Sequence, residues 1–259
     1  MKKKTLLLFA SVIIFFVSCR KDKQELQIPE GSRVSMGNGK AWSRIQMKTD
    51  SQQPDFIGIS FTQDAFVNLP AGSMNSFDAF EFVLNMPSLA QNTPFDHIVV
   101  DWNPHGHGPV GIYDKPHFDL HFYMITEAER QFIPDYEKDS TKFQAFPLSA
   151  YLPANYVPIP EGESMMGKHW VDVNSPELDP TNPKPFTQTF IYGSYNGKVT
   201  FYEPMVTLNF ITTTNSFTRD IPQPAKVAKS GYYPTKLSVS RSGSTTEVKL
   251  TDFVYRLQS

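Results

Sequence analysis

The chain has 259 residues, with 24 Lys and Arg against 26 Asp and Glu, a formal charge of −2, one cysteine and 21 prolines. A mildly acidic chain whose one basic run beyond its N-terminal lysines is Arg20-Lys21-Asp22-Lys23 has no electrostatic footprint for nucleic acid, and a lone cysteine excludes a disulfide framework. The length suits one large β domain or two small ones, and aromatic residues at 14% supply ample apolar surface for a core.

Residues 1–18 read as an export signal. Lys2, Lys3 and Lys4 form its positive start and Leu6 to Val17 its apolar stretch of twelve residues. That stretch is shorter than the roughly twenty residues a membrane-spanning helix needs. Phe16-Val17-Ser18-Cys19 resembles the bacterial lipobox, with Phe16 in place of the usual leucine, so cleavage before Cys19 and lipidation of its thiol are expected. Each acyl CH₂ contributes about 0.8 kcal/mol, and two or three chains together hold a protein on a bilayer. The expected product is a cell-envelope lipoprotein, joined to the outer membrane through Cys19 and facing the periplasm or the surface. Losing the signal takes away three lysines and no acids, which moves the formal charge from −2 to −5.

Residues 19–36 are polar, charged and without periodicity, which predicts a flexible tether. A single β-rich domain follows over 37–259. Short alternating runs predict strands at Ala41 to Lys48, Phe56 to Thr62, Phe80 to Leu84, Ile98 to Trp102, His117 to Ile125, Thr187 to Tyr195, Lys198 to Phe210, Lys236 to Ser240 and Thr246 to Tyr255. Asn196-Gly197 and Ser242-Gly243 mark hairpin turns. One helix is predicted over Thr126 to Ile133, with Thr126 and Glu129 spaced as a capping box, and a second short one over Tyr136 to Phe143. The proline-rich passage from Phe143 to Phe186 has too little periodicity for sheet and reads as a long loop packed across a site. The fold class is mainly β: an antiparallel sandwich or barrel with one or two short helices.

Five of the six histidines fall between His97 and His121. Within that block His117, Asp119, His121 and Tyr123 alternate with Phe118, Leu120, Phe122 and Met124, a period of two that makes this a strand with one polar and one apolar face. On a helix His117 and His121 would share a face and a metal; on a straight strand at ~3.3 Å per residue they stand roughly 13 Å apart, near the limit for sharing one ion. A metal would therefore take one histidine with Asp119, or both if the strand bends. A hydrogen-bonded polar ladder lining a cavity explains the same pattern.

His105 and His107 lie in a Pro-Gly-rich loop whose glycines allow close backbone approach, and His107 is the better ligand candidate. His169, beside Trp170 and Asp172, is the best distant ligand. Glu203, in Phe201-Tyr202-Glu203-Pro204-Met205, interrupts an apolar strand and suggests an inward carboxylate needing a partner. The candidate metal ligands are thus His117, Asp119, His121, His169, Glu203 and His107, and the ion expected is zinc or copper, with Met165, Met166 and Met205 near enough to suit copper(I). Nucleophile-elbow, phosphate-loop, dinucleotide and His-Glu-x-x-His motifs are absent from the sequence.

Three segments, Gly111 to Tyr123, Met166 to Asp172 and Tyr192 to Met205, together resemble a family of exported bacterial proteins of unknown function, typified by a ring-forming Thermus protein from a stress sigma-E regulon. The resemblance spans about residues 36 to 212. It implies a β-rich fold and a homo-oligomer, supplies no catalytic residues, and makes the hairpin region 213–259 a C-terminal addition. Three readings stay open: an envelope lipoprotein that binds a metal, with or without catalysis; a non-enzymatic protein that binds a small molecule of unknown kind or assembles with itself; and a cupin-like metalloenzyme, suggested by His-x-Asp-x-His and Gly167-x-His169.

Overall fold

A computed structural model describes residues 28–73 and 79–259. The signal segment, Cys19 and the first part of the tether lie outside the described residues. The strands, in chain order, are β1 (Val34–Met36), β2 (Gly39–Met47), β3 (Pro54–Thr62), β4 (Phe80–Asn85), β5 (His97–Asn103), β6 (His117–Tyr123), β7 (Tyr156–Pro158), β8 (Lys168–Asp172), β9 (Gln188–Tyr195), β10 (Lys198–Thr207), β11 (Ser216–Asp220), β12 (Gly231–Tyr233), β13 (Lys236–Ser242), β14 (Thr245–Thr251) and β15 (Val254–Arg256). Three short helices accompany them: α1 (Glu127–Gln131), α2 (Tyr136–Gln144) and α3 (Leu208–Thr213).

Two antiparallel sheets stack on one another, in the orders β1-β2-β3-β14-β13-β11 and β4-β5-β6-β10-β9-β8-β7, with a separate β12-β15 pair. Each large sheet keeps two free edges, so the β expectation resolves to a sandwich and not a barrel. The core lies between the sheets. Ile57, Ile59 and Phe61 of β3, Val248 and Leu250 of β14, and Leu237 and Val239 of β13 face Ile98 and Val100 of β5, Phe118, Leu120 and Phe122 of β6, and Tyr202 of β10. Ring contacts stitch the layers, with Phe118 at 6.2 Å from Phe61 across the gap and 4.8 Å from Trp102 beside it. Each such side chain contributes about 1.5–3 kcal/mol by leaving water.

Period-two alternation explains β6: the apolar face takes the core, and the other face carries His117, Asp119, His121 and Tyr123, all buried as well. A strand buried on both sides must have a second cover, and the loops after β5 and before β8 provide it. The expected turns form at Asn196-Gly197, with φ of 49° and 77°, and at Gly243, with φ of 56°. The capping box on α1 forms as expected, Thr126 accepting from the Glu129 amide and Glu129 accepting from the Thr126 amide.

Several expectations change. The strand predicted over 198–210 stops at Thr207, whose hydroxyl accepts a bond from the Phe210 amide and starts α3. The strand predicted over 246–255 breaks at Asp252, where φ is 54°, leaving β14 and β15. The passage 143–186 is not free of sheet: β7 and β8 extend the second sheet from within it, cross-strand pairing overriding weak local periodicity. Residues 29–36, assigned to the tether, already bond to the first sheet, with the Pro29 carbonyl accepting from the Ile45 amide and β1 pairing with β2. The 213–259 segment is built into the first sheet, where β14 pairs directly with β3 over seven residues. No helix among the described residues is long and apolar enough to cross a membrane.

Candidate metal centre

The register of the second sheet assembles the polar face. Asp101 of β5 lies opposite Asp119 and Asn103 opposite His117. On the other side Met205 of β10 lies opposite Asp119 and Tyr202 opposite Phe122, which sets Glu203 across from His121. Farther out, Phe201 pairs with Gly193 of β9 and Gly193 with His169 of β8. A Cβ on Gly193 would stand 2.1 Å from the Phe201 ring, so the missing side chain lets that ring lie across β9. There it contacts His121 at 4.8 Å and His169 at 5.3 Å and holds both imidazoles in place.

The loop after β5 folds back over this face. Gly106 takes φ of 71°, where any Cβ would collide with the Tyr113 carbonyl, and the His107 amide then donates to that carbonyl at 3.1 Å. This turn carries His107 onto Asp119. Between sheet and loops lies a cavity of about 370 Å³ whose polar lining includes Asp101, Asn103, Tyr113, Asp119, His169 and Glu203, and among the described residues no Lys or Arg stands in its wall.

Two groups of three ligand atoms converge there. One is His107, His117 and Asp119; the other is His121, His169 and Glu203; in each, the ligand atoms lie within 4.8 Å of one another. The first is oriented by backbone: the Lys115 carbonyl is 2.6 Å from His117 Nδ1 and the Gly108 carbonyl 2.7 Å from His107 Nδ1. A carbonyl only accepts, so each Nδ1 holds a proton and Nε2 is the nitrogen left to ligate, as in ligating histidines, once any proton on it is lost. Asn103 donates to Asp119 Oδ2 at 2.8 Å and fixes that carboxylate. In the second group Asp101 Oδ2 stands 3.0 Å from His121 Nδ1, leaving Nε2 to face Glu203 at 3.6 Å, the same distance that separates His169 Nε2 from Glu203.

His107 Nε2 is hydrogen-bonded to Asp119 Oδ2 at 3.2 Å, but several of the other atoms are close without being aligned for a hydrogen bond. His117 Nε2 and Asp119 Oδ1 are 3.0 Å apart, yet neither has an aligned hydrogen-bond partner, nor do Asp101 Oδ2, either nitrogen of His121 or Glu203 Oε2. Buried polar atoms left in this way cost several kcal/mol in all. Two donors on one ion at about 2.1 Å lie roughly 3.0–3.4 Å from each other, so a shared cation accounts for short contacts that are not aligned as hydrogen bonds. The residues fit a metal.

Protons stand in for positive charge when no cation is there. Burial would lower His107, but the Asp119 carboxylate overcomes it and lifts the imidazole to about 9. Burial likewise opposes the charged form of His121, and Glu203 and Asp101 raise it to about 9. Asp119 is held well below the usual carboxylate range: burial pushes it up, but His117 and His107 outweigh that. Glu203 is pushed up to about 8, by burial first and then by Asp119, against the pull of His121. Asp101 is raised by burial too, while His169 falls to about 3 through burial and the neighbouring charge on His121.

The structure therefore brings together all six residues singled out in the sequence as metal ligands, and divides them into two groups. His105 stands outside both. Two contributors were missed as site residues, Asp101 and Asn103, although β5 carries the signal: Val99, Asp101 and Asn103 alternate with the core residues Val100 and Trp102. Tyr113 was missed as well. It reaches the cavity through a loop, which has no period to read, and its buried hydroxyl has no aligned hydrogen-bond partner.

Fold and site together define an antiparallel β-sandwich with buried His, Asp and Glu groups that could hold a metal ion. A family model described as TTHB210-like, after the hypothetical protein TTHB210, matches residues 50–102, the stretch from β3 to the end of β5 that includes Asp101. This agrees with the uncharacterised Thermus-typified family that the sequence resembles, while the three motifs quoted above fall outside the matched stretch. No curated protein and no solved structure matches the chain.

Proposed function

We propose that this chain is a cell-envelope lipoprotein, anchored to a membrane through Cys19, whose sandwich binds a divalent metal ion on the covered face of its second sheet. The observation that carries the reading is the convergence of His, Asp and Glu ligand atoms from β6, β8, β10 and one loop, with unaligned buried atoms on β5, β6 and β10, on a cavity that no Lys or Arg lines among the described residues. Two imidazoles and one carboxylate make up the donor set of open zinc sites, where a further position takes water. Bound there, zinc would lower the pKa of that water to about 7 and supply a nucleophile. Copper is the other candidate: Met166 lines the cavity and could offer the sulfur that favours copper(I), whereas Met205 packs with Tyr113 and Ile191 in an apolar cluster.

Tyr113 also lines the cavity, so a phenol hydroxyl stands beside any bound ligand. Such a group holds and delivers a proton at an oxygen. Metal analysis of the purified protein tests the reading: a stoichiometric ion is expected in wild type and its loss in His117→Ala with His121→Ala. An ion that survives this double substitution overturns the assignment. Anchoring is tested apart from it, since Cys19→Ala should move the protein from the membrane to the soluble fraction.

A further inference from the structure

We infer that the cavity is a two-cation centre, with one divalent ion held by His107, His117 and Asp119 and a second by His121, His169 and Glu203. The inference rests on the metal-binding reading above and extends it in number and placement.

The first argument is geometric. The two groups share no residue, and each is complete as two imidazoles and a carboxylate. Along β6 their nearest members, Asp119 and His121, are two residues apart, roughly 6.6 Å between Cα atoms at ~3.3 Å per residue. The groups are therefore neighbours facing one cavity. One ion cannot satisfy both, because His117 and His121 stand four residues apart on an unbulged stretch of strand that pairs in continuous register with β5.

Orphaned atoms give the second argument. They occur in both groups: His117 Nε2 and Asp119 Oδ1 in the first, both nitrogens of His121 and Glu203 Oε2 in the second. The side chains of His117 and His121 are at most 1% exposed and that of Glu203 2%. A single cation would leave one of these sets unaligned and out of reach of bulk water, at a cost of several kcal/mol in lost hydrogen bonding.

Charge gives the third. Asp101, Asp119 and Glu203 are buried around the cavity, Glu163 lines its mouth, and among the described residues no Lys or Arg lines it. One divalent ion leaves a net negative charge among these carboxylates when ionised, and two balance it.

The test is zinc stoichiometry. The purified full chain is stripped with chelator, titrated with zinc and dialysed, and bound zinc per folded chain is measured by mass spectrometry, with circular dichroism recording the fold. Two ions in wild type are expected, falling to one in His107→Ala/Asp119→Asn and to one in His169→Ala/Glu203→Gln. A single ion in wild type overturns the two-cation inference and leaves the metal reading standing; none overturns both. The wild-type count decides even if a variant fails to fold, and cobalt(II) substitution adds a check, since loading should then saturate at two equivalents by visible absorption.

Discussion

His117 and His121 project from the same face of one strand, four residues apart, yet belong to different ligand groups: His117 meets Asp119 at 3.0 Å, while His121 lies between Asp101 at 3.0 Å and Glu203 at 3.6 Å. On a helix the same spacing would have aimed both imidazoles at one ion. Strand pitch separates them: β6 itself supplies His117 with Asp119, while β5 and β10 supply His121 with Asp101 and Glu203.

Removing metal should lower stability. An ion that binds only the folded chain adds about 2.7 kcal/mol at a hundredfold excess over its dissociation constant. Thermal unfolding with zinc and with excess chelator should differ by several degrees, and His117→Ala/His121→Ala should be insensitive to chelator.

Metal affinity should rise with pH. His107 and His121, lifted to about 9, and Glu203, pushed up to about 8, must each shed a proton before ligating. Calorimetric titration with zinc in two buffers of different ionisation enthalpy should show proton release at neutral pH and tighter binding as pH climbs through about 8. Without metal the sign reverses: the two raised histidines add stability that is full below 6.5 and lost as pH rises through about 9. An affinity flat across this range contradicts the proton competition.

Gly193→Ala should damage the centre from a distance. The new Cβ meets the buried Phe201 ring that holds His121 and His169, and overpacking of this kind costs about 1–3 kcal/mol. Denaturant unfolding should show that loss, and zinc affinity should fall although no ligand has changed.

Glu81→Ala should destabilise the edge of the second sheet. Glu81 accepts two bonds from the buried Arg130 guanidinium, at 2.7 and 2.9 Å, and Arg130 lies over the Tyr123 ring. Losing these charge-assisted bonds should cost about 1.5–3 kcal/mol in urea unfolding, with Glu81→Gln recovering part of it.

Leu250→Ala tests whether the C-terminal segment is integral. Leu250 is fully buried on β14 between Ile57 of β3 and Leu237 of β13. The substitution should cost about 2–5 kcal/mol; a loss within experimental error would mark β13-β14 as dispensable.

Local pattern carried a good part of this. Alternation in His117 to Tyr123 named the strand and its polar face, Asn196-Gly197 named a hairpin, and Thr126 with Glu129 named a helix start, because each depends on a few consecutive residues. Where neighbours in space decide, the reading fell short. β8 has little period of its own and is strand because β9 and β7 pair with it. Thr207 ends β10 by capping a helix that the apolar run Leu208 to Ile211 disguised as more strand. Asp101 and Asn103 were legible in their alternation, but their role depended on lying opposite Asp119 and His117.

By itself the sequence determined an antiparallel β chain and six metal-ligand candidates scattered from His107 to Glu203. Only the tertiary structure decided that these residues meet, that they meet on the outer face of one sheet and not between the two, and that they divide into two groups. The reason is that side-chain chemistry and strand period are local properties, while cross-strand register and the fold-back of a loop bring together residues nearly a hundred positions apart.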